Sequence, residues 1–169
     1  MKRSLVAPTL LATALLGVGI ALAAIPQTQV PDKNIVQVAG ASKDHTTLVA
    51  ALKAANYITS LQNPGPFTVF APTNAAFDKL PKGTLDNLMK PDQQEALRNI
   101  LKYHVAVPTY KIADFKDGQV IGEANGGKVT MSVKDGVVKV NDASIVASIV
   151  TSNGTIHVID TVLLPPAGK

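Results

Sequence analysis

The sequence predicts an α+β fold, in which helices from the first half of the chain cover strands from the second half. Two patterns support this. Apolar residues recur at spacings of three and four before residue 102, whereas residues 128–164 show the alternation and the β-branched runs of strands. Because helices and strands occupy separate halves, we expect an antiparallel sheet instead of repeated βαβ units.

The first predicted element is a helix that begins at Asp44 or Thr46, since both residue types cap helices. Its apolar face consists of Leu48, Ala51, Leu52, Ala55 and Ile58. Residues 63–66 (Asn-Pro-Gly-Pro) then interrupt the chain. A short strand over Phe67–Phe70 follows, stopped by Ala71 and Pro72.

Two further helices are predicted before the strands. A short one starts at Thr73 or Asn74. A longer one begins with a capping box of Asp92 and Glu95, and its apolar stripe ends near Tyr103 and His104.

The second half is predicted as strands. Residues 128–134 alternate apolar and polar, and Asp135-Gly136 is a favoured two-residue hairpin turn before residues 137–140. Ile145–Val150 is another strand, and a turn at Ser152–Gly154 leads into a long strand over Thr155–Leu164. Because both faces of this last strand are apolar, we expect it to be central and covered on both sides. Ile156, Val158 and Val162 lie on one face, and Ile159 and Leu163 on the other.

Composition excludes several classes of function. The 16 Lys and Arg residues exceed the 12 Asp and Glu residues by only four, and they are not clustered, so no nucleic-acid partner is expected. The chain has no cysteine, which excludes disulfides, thiolate metal sites and cysteine nucleophiles.

The N-terminus has the pattern of a signal peptide. Lys2 and Arg3 precede an apolar stretch, and Ala21-Leu22-Ala23 has the spacing of a cleavage site, so residues 1–23 are predicted to be removed. The alternative is a retained membrane anchor. After cleavage we expect a periplasmic or secreted protein without a membrane span. Residues 24–33 form an extended, proline-containing linker, and residues 34–166 form a single domain.

Three segments, in order, resemble the conserved motifs of fasciclin (FAS1) domains. They are Phe67–Phe77, Tyr103-His104 and Asn153–Pro165. The resemblance covers Asn34 to Pro165 and implies a single-domain, secreted, bacterial-type member. It also implies a β-sandwich or wedge of antiparallel strands flanked by helices, and an extracytoplasmic role in adhesion or matrix contacts.

Most motif residues have a structural explanation. Phenylalanines can fill a core, a proline can end a strand, Thr and Asn can cap the next helix, a glycine can supply a positive φ, and Asp160 can accept a hydrogen bond at a strand end. The residues interpreted in this way are Phe67, Phe70, Pro72, Thr73, Asn74, Phe77, Asn153, Gly154, His157 and Asp160.

The candidate binding residues are Tyr103, His104, Ile145, Ser148 and Ile149. His104 is predicted to be a hydrogen-bonded core histidine; the alternative is a ligand-contacting Tyr-His pair, as suggested for fasciclin domains. Some adhesive animal members carry an Asp-Ile pair linked to integrin recognition where this chain has Ser148-Ile149. The missing carboxylate argues against transferring that partner.

No enzyme, cofactor or metal is predicted. The sequence has no Gly-x-Ser-x-Gly motif, its three histidines are far apart in sequence, and no oriented base is predicted beside a nucleophile. No acidic or histidine cluster has metal-ligand spacing, and Gly126-Gly127 has the character of a turn.

Two function classes remain. The favoured prediction is a non-enzymatic module that binds a protein or cell-surface component through a surface around Tyr103-His104 and Ile145–Asn153. The alternative is a carrier of a small hydrophobic ligand such as a carotenoid, since some algal fasciclin proteins bind carotenoids.

Overall fold

Helices come first along the chain and most strands follow, as the spacing of the apolar residues predicts. The computed structural model describes residues 32–166, so the predicted signal peptide and most of the predicted linker lie outside the described residues. The helices are α1 Ile35–Ala41, α2 Thr46–Ala54, α3 Ile58–Gln62, α4 Asn74–Asp78, α5 Thr84–Leu88 and α6 Gln94–Lys102. The strands are β1 Phe67–Pro72, β2 Val105–Ala106, β3 Val120–Gly122, β4 Lys128–Lys134, β5 Val137–Val140, β6 Ala143–Thr151 and β7 Gly154–Ile159.

The strands form one seven-stranded sheet in the order β2-β1-β7-β6-β5-β4-β3. The last strand, β7, lies between β1 and β6, so the prediction of a central final strand is confirmed. The α+β class is also confirmed. The sheet is mixed, however, because β1 and β7 pair in parallel while the other strand pairs are antiparallel. Residues 73–153, more than half of the described residues, connect β1 to β7, which gives the chain the length that a parallel pairing needs.

Two apolar cores lie on opposite faces of the central strands. Val69 of β1 and Ile156 of β7 face the helices and belong to the first core. Phe70 and Ile159 belong to the second core, which takes a residue from every strand of the sheet. The second core contains Phe70, Tyr103, Ala106, Phe115, Ile121, Val129, Met131, Val140, Ala143, Ile159 and Leu163.

The sheet closes on itself around the second core. Its two outer strands, β2 and β3, come together where an isolated antiparallel bridge joins Ala106 to Glu123. The N–H of Ala124 also donates to the Val105 carbonyl at 2.7 Å. On the other side of the sheet, β5 pairs with β6 at only two positions, so most of the β6 backbone on that side has no strand partner among the described residues.

The predicted hairpin at Asp135-Gly136 is confirmed. β4 and β5 pair in antiparallel register around it, from Lys134 opposite Val137 onwards. Asp135 and Gly136 have φ values of +51° and +77°, the left-handed pair that a two-residue hairpin turn of this type requires.

Both predicted ends of the central strands are wrong. β1 does not stop before Ala71 but continues to Pro72, whose Cα pairs with that of Ile159. β7 ends at Ile159 and does not reach Leu164.

The chain leaves β7 at Asp160, yet the predicted burial beyond it is correct. The Asp160 carboxylate accepts the Ser144 N–H at 2.9 Å. Val162 packs in the first core and Leu163 in the second, so the alternation of the sequence indicates which side each residue faces although the backbone is no longer a strand.

Two helix starts also differ from prediction. α2 follows a 3₁₀ turn over Lys43–His45, and its predicted extension to Ile58 is broken at Asn56, where φ is +54°. α6 starts at Gln94 without a side-chain cap, so the Asp92–Glu95 capping box is wrong. A 3₁₀ turn over Pro91–Gln93 occupies that position instead.

Candidate interaction site

Asn153 joins the β6–β7 turn to the helical part of the domain through side-chain hydrogen bonds. Its side-chain oxygen accepts the Ile35 N–H of α1 at 3.0 Å, and its amide nitrogen donates to the carbonyls of Leu61 (2.8 Å) and Asn63 (3.0 Å). The side chain is buried, and the geometry uses both of its polar atoms. Asn153 therefore holds the end of β6 in place.

Gly154 is required by close packing. Its φ is +158°, and a Cβ at this position would overlap the carbonyl oxygen of Phe67. The predicted positive φ is present, but the approach of two backbones at the first pair of the parallel β1–β7 ladder is the stronger constraint.

His104 lies inside the domain with both ring nitrogens satisfied. The Leu163 N–H donates to Nε2 at 3.0 Å, so Nε2 is the acceptor. Nδ1 therefore carries the hydrogen and donates to the Ile100 carbonyl at 2.8 Å. Burial lowers the pKa of His104 to about 4, so the ring is neutral at pH 7.

Tyr103 is buried as well. Its hydroxyl donates to the Lys128 carbonyl at 2.8 Å, and its ring packs in the second core. Tyr103 and His104 are 2% and 3% exposed, so neither offers a surface to a partner. The prediction of a contact surface that includes this pair is corrected, because only the Ile145–Asn153 segment reaches solvent, and within it Thr151 and Asn153 are buried.

The other motif residues support the fold. Phe70 and Phe77 are core residues, Phe67 is half-buried, and Thr73 caps α4 by accepting the Ala76 N–H at 3.2 Å.

Asn74 caps a different helix from the one predicted. Its side-chain oxygen accepts the Thr47 N–H at 3.0 Å and its amide donates to the Lys43 carbonyl at 3.0 Å. Asn74 therefore satisfies an amide at the start of α2, while Thr73 alone caps α4.

A serine and a histidine meet on the outer part of the sheet. Ser148 lies opposite His157 in the β6–β7 register, with Oγ and Nδ1 2.7 Å apart. The sequence analysis did not predict this pair, because it expected no imidazole beside a hydroxyl group. The available signal was a two-residue turn at Ser152-Asn153, because Ser148 precedes that turn by as many residues as His157 follows it.

His157 itself is enclosed by aromatic rings. Phe115 packs edge-on against it at a centroid distance of 5.0 Å, and Phe70 lies at 5.8 Å. Burial lowers the pKa of His157, while the hydrogen bond to the Tyr110 carbonyl opposes this shift. The imidazole is fully buried and the serine is exposed, so only Ser148 is accessible from outside.

The exposed apolar residues of this region lie along β6. Val146 is 60% exposed, Val150 54% and Ile149 39%, while Ile145 packs against the second core. Ser148 and Ala147 between them are also exposed, and no residue from 143 to 151 is charged. Beyond the end of β6, an open groove of about 440 Å³ is lined by Pro64–Pro66, Thr109, Lys111 and residues 150–155.

Glu123 is a buried carboxyl group that sequence reasoning did not single out. It lies at the seam between β2 and β3, and both of its oxygens lack a hydrogen-bond partner among the described residues. Burial raises the pKa of Glu123 to about 8. The alternation after Ile121 was the available signal, since it places Glu123 on the inward face.

The described residues contain no group of three or more His, Cys, Asp or Glu side chains placed to hold a metal ion. Within residues 32–166 no helix has the length and apolar character needed to cross a membrane.

Comparison with known proteins identifies the family. The family model of the Fasciclin domain matches residues 43–165. The chain belongs to the fasciclin family. This fasciclin domain is 48% identical over 134 residues to Protein sll1483 of Synechocystis sp., a match that covers 79% of this chain and 74% of that protein.

Other matches are to two further sequence relatives and to one solved structure with the same fold. Immunogenic protein MPB70 of Mycobacterium bovis is 40% identical over 131 residues, which cover 72% of this chain and 64% of that protein. Transforming growth factor-beta-induced protein ig-h3 of Sus scrofa is 36% identical over 140 residues, 82% of this chain but only 20% of that protein. The FAS1 domain pair from the insect cell adhesion molecule Fasciclin I has the same fold, with a TM-score of 0.69 at 19% identity, over 79% of this chain and 51% of that chain.

Proposed function

We propose that this fasciclin domain is an extracytoplasmic, non-enzymatic module that binds a protein through the exposed part of β6, residues 145–150. The observation that carries the proposal is the row of exposed, uncharged β6 residues that includes Val146, Ile149 and Val150. Contiguous apolar residues that reach solvent mark sites of protein interaction. Here they emerge on both faces of the strand, since Ile149 lies beside Ile156 and Val150 lies opposite Thr155. The cell adhesion role named for the insect Fasciclin I agrees with it.

The Ser148–His157 pair does not by itself favour an enzyme. Acyl transfer needs preorganised donors for an oxyanion beside the nucleophile. The described residues around Ser148 offer exposed valine, alanine and isoleucine side chains instead. A hydroxyl that caps a buried imidazole satisfies the ring without any chemistry.

The size of the internal cavities favours the interaction module over a carrier of a carotenoid. Apolar cavities between the helices and the sheet measure about 10 to 20 Å³, room for no more than one water molecule. A small-molecule pocket occupies roughly 300–1,000 Å³. The groove beyond β6 is large enough, but it is open and carries Lys111 together with threonine and serine residues.

The test is capture of envelope and culture-medium proteins by the immobilised chain from residue 24 onwards. Three forms are compared at low and high salt: the parent, Ile149→Asp and, as a matched control, Val120→Asp, which charges an exposed valine on β3. We expect the parent and the control to retain the same proteins, and Ile149→Asp to lose them. Retention should fall only modestly with salt because the β6 surface is uncharged. Equal retention by Ile149→Asp, or turnover of a substrate by the purified domain, would contradict the proposal.

A further inference from the structure

Strand β6 has one unpaired edge. On one side, Ile145 and residues 147–151 pair with β7, and Val146 lies at a bulge between them. On the other side, β5 pairs only with Ala143 and Ser144, and no strand within residues 32–166 continues that pairing. In an antiparallel ladder every second residue turns its N–H and C=O away from its neighbour, so the outer half of β6 presents unused backbone groups.

Apart from one bulge, this edge lacks the usual protection against pairing. Natural edge strands carry lysine or proline, are short, or are covered. Residues 143–151 read Ala-Ser-Ile-Val-Ala-Ser-Ile-Val-Thr, with no charge, proline or glycine. A single bulge between Ile145 and Ala147 interrupts the strand near its start. The other two outer strands, β2 and β3, are joined to each other at the Ala106–Glu123 bridge.

The sequence of the edge is complementary to itself. In a two-fold antiparallel pairing centred on Ser148, the two most exposed valines, Val146 and Val150, lie opposite each other. Ala147 lies opposite Ile149, so a small side chain meets a large one. No charged pair arises in this register, whereas a charged partner strand would find no counter-charge on β6.

From this edge we infer that two copies of the chain pair through β6, antiparallel and with Ser148 opposite Ser148 of the second copy. The inference rests on the proposed function and names the partner of the same surface. The contact is isologous, so it closes at a dimer. It extends the sheet of one copy into that of the other through backbone hydrogen bonds.

The dimer is expected to be weak. One short edge with its side chains covers less than the roughly 1,200 Å² typical of stable interfaces. Association should therefore depend on concentration, which sedimentation equilibrium measures directly.

The first test substitutes the paired valines. Val146→Lys/Val150→Lys places lysine opposite lysine twice and should weaken dimerisation at least about tenfold. The control, Val120→Lys/Leu164→Lys, adds the same charge at positions with similar exposure away from β6 and should leave dimerisation unchanged. A Val146→Glu/Val150→Glu form mixed with the lysine form should restore a mixed dimer. A monomer at all concentrations for the parent chain would overturn the inference.

The second test reads the register with introduced cysteines, which the natural sequence lacks. Opposed Cα atoms in an antiparallel pair lie about 4.5–5.5 Å apart, within the range of a disulfide. Ser148→Cys should form a disulfide-linked dimer under mild oxidation, and a mixture of Val146→Cys with Val150→Cys should link faster than either form alone. Val120→Cys measures linkage by random collision. Equal linkage in all forms would overturn the register.

Hydrogen exchange separates the remaining outcomes. Protection of the β6 amides that rises with concentration supports the dimer. Protection that is complete and independent of concentration would mean that another segment of the same chain covers the edge, and would overturn the inference. If the parent is monomeric but captures an envelope protein in an Ile149-dependent manner, the inference fails while the proposed function stands. If dimerisation and capture are both absent, both fail.

Discussion

Ser148 on the surface of β6 donates its hydroxyl hydrogen to Nδ1 of the buried His157, at 2.7 Å. The direction follows from the other ring nitrogen, which lies 3.0 Å from the Tyr110 carbonyl. A carbonyl only accepts, so Nε2 carries the hydrogen and Nδ1 must be the acceptor. Ser148 of the exposed strand is thus linked through the buried imidazole of His157 to the Tyr110 carbonyl.

Removing this hydroxyl should leave a buried nitrogen without a partner. Ser148→Ala is expected to lower the free energy of unfolding by about 1–2 kcal/mol, measured by urea denaturation at pH 7. Ser152→Ala, at an exposed serine in the adjoining turn, is the control and should be within about 0.5 kcal/mol of the parent. Equal stability of Ser148→Ala and the parent would show that the hydrogen bond contributes nothing.

Protonation of His104 should destabilise the domain in acid. The pKa is about 4 in the folded state and near 6.5 in the unfolded chain, so unfolding takes up a proton between these values. Stability is complete above pH 6.5 and falls as the pH drops towards 4, by up to about 3 kcal/mol. Denaturant titrations from pH 4 to 7 measure the slope.

His104→Ala tests the same site by substitution. Loss of the ring leaves the buried Leu163 N–H without its acceptor and removes one of the two donors to the Ile100 carbonyl, so we expect a loss of about 1–3 kcal/mol at pH 7. The variant should also have a shallower slope between pH 4 and 6.5. A variant that melts like the parent but loses partner binding would reassign His104 to function.

Glu123 should give the opposite pH dependence. Its pKa is about 8 when folded and 4.5 in its unperturbed state, so the folded state holds the proton more tightly. Stability is complete below pH 4.5 and falls as the pH rises through 8. Glu123→Gln removes the titrating group and should gain on the order of 2 kcal/mol relative to the parent between pH 5 and pH 8. Parallel stability curves for the two proteins over this range would contradict the assignment.

Asn153 should be among the most sensitive polar residues of the domain. Asn153→Asp keeps the shape but replaces the donor that serves the Leu61 and Asn63 carbonyls with an acceptor. We expect a loss of about 3 kcal/mol or more, measured by thermal and urea unfolding. Asn63→Asp is the matched control: it makes the same change, but at an exposed residue. An Asn153→Asp protein as stable as the control would show that the observed contacts are dispensable.

Local signals predicted the parts of the fold that depend on neighbours in sequence. The Asp135-Gly136 hairpin was predicted correctly because both residues accept the φ values of its turn. Among the local predictions the Asp92–Glu95 capping box was wrong, and the other failures lie mostly where partners are distant. Neither the parallel β1–β7 pairing nor the capping of α2 by Asn74 is indicated by a pattern in the adjacent sequence.

The candidate site, like the fold, was predicted only where local sequence patterns were sufficient. The Tyr103-His104 motif indicated importance, but only its packing beneath the strands reveals that the pair is internal. Ser148 and Ile149 were selected by resemblance, and their exposure follows from the unpaired edge of β6, which depends on where β5 diverges. Register and divergence are tertiary properties, so a sequence pattern alone could not determine them.

The position of β7 constrains the order in which the domain can fold. The central strand of the sheet is the last to be synthesised, and its parallel partner β1 precedes most of the chain. Contacts with such long separations in sequence must overcome a large loop-closure entropy, which slows folding. Until β7 is in place, β1 and β6 lack the strand that pairs with both of them. The first core then lacks Ile156 and Val158, and the second core lacks Ile159. Neither core is therefore complete until β7 has been added to the chain.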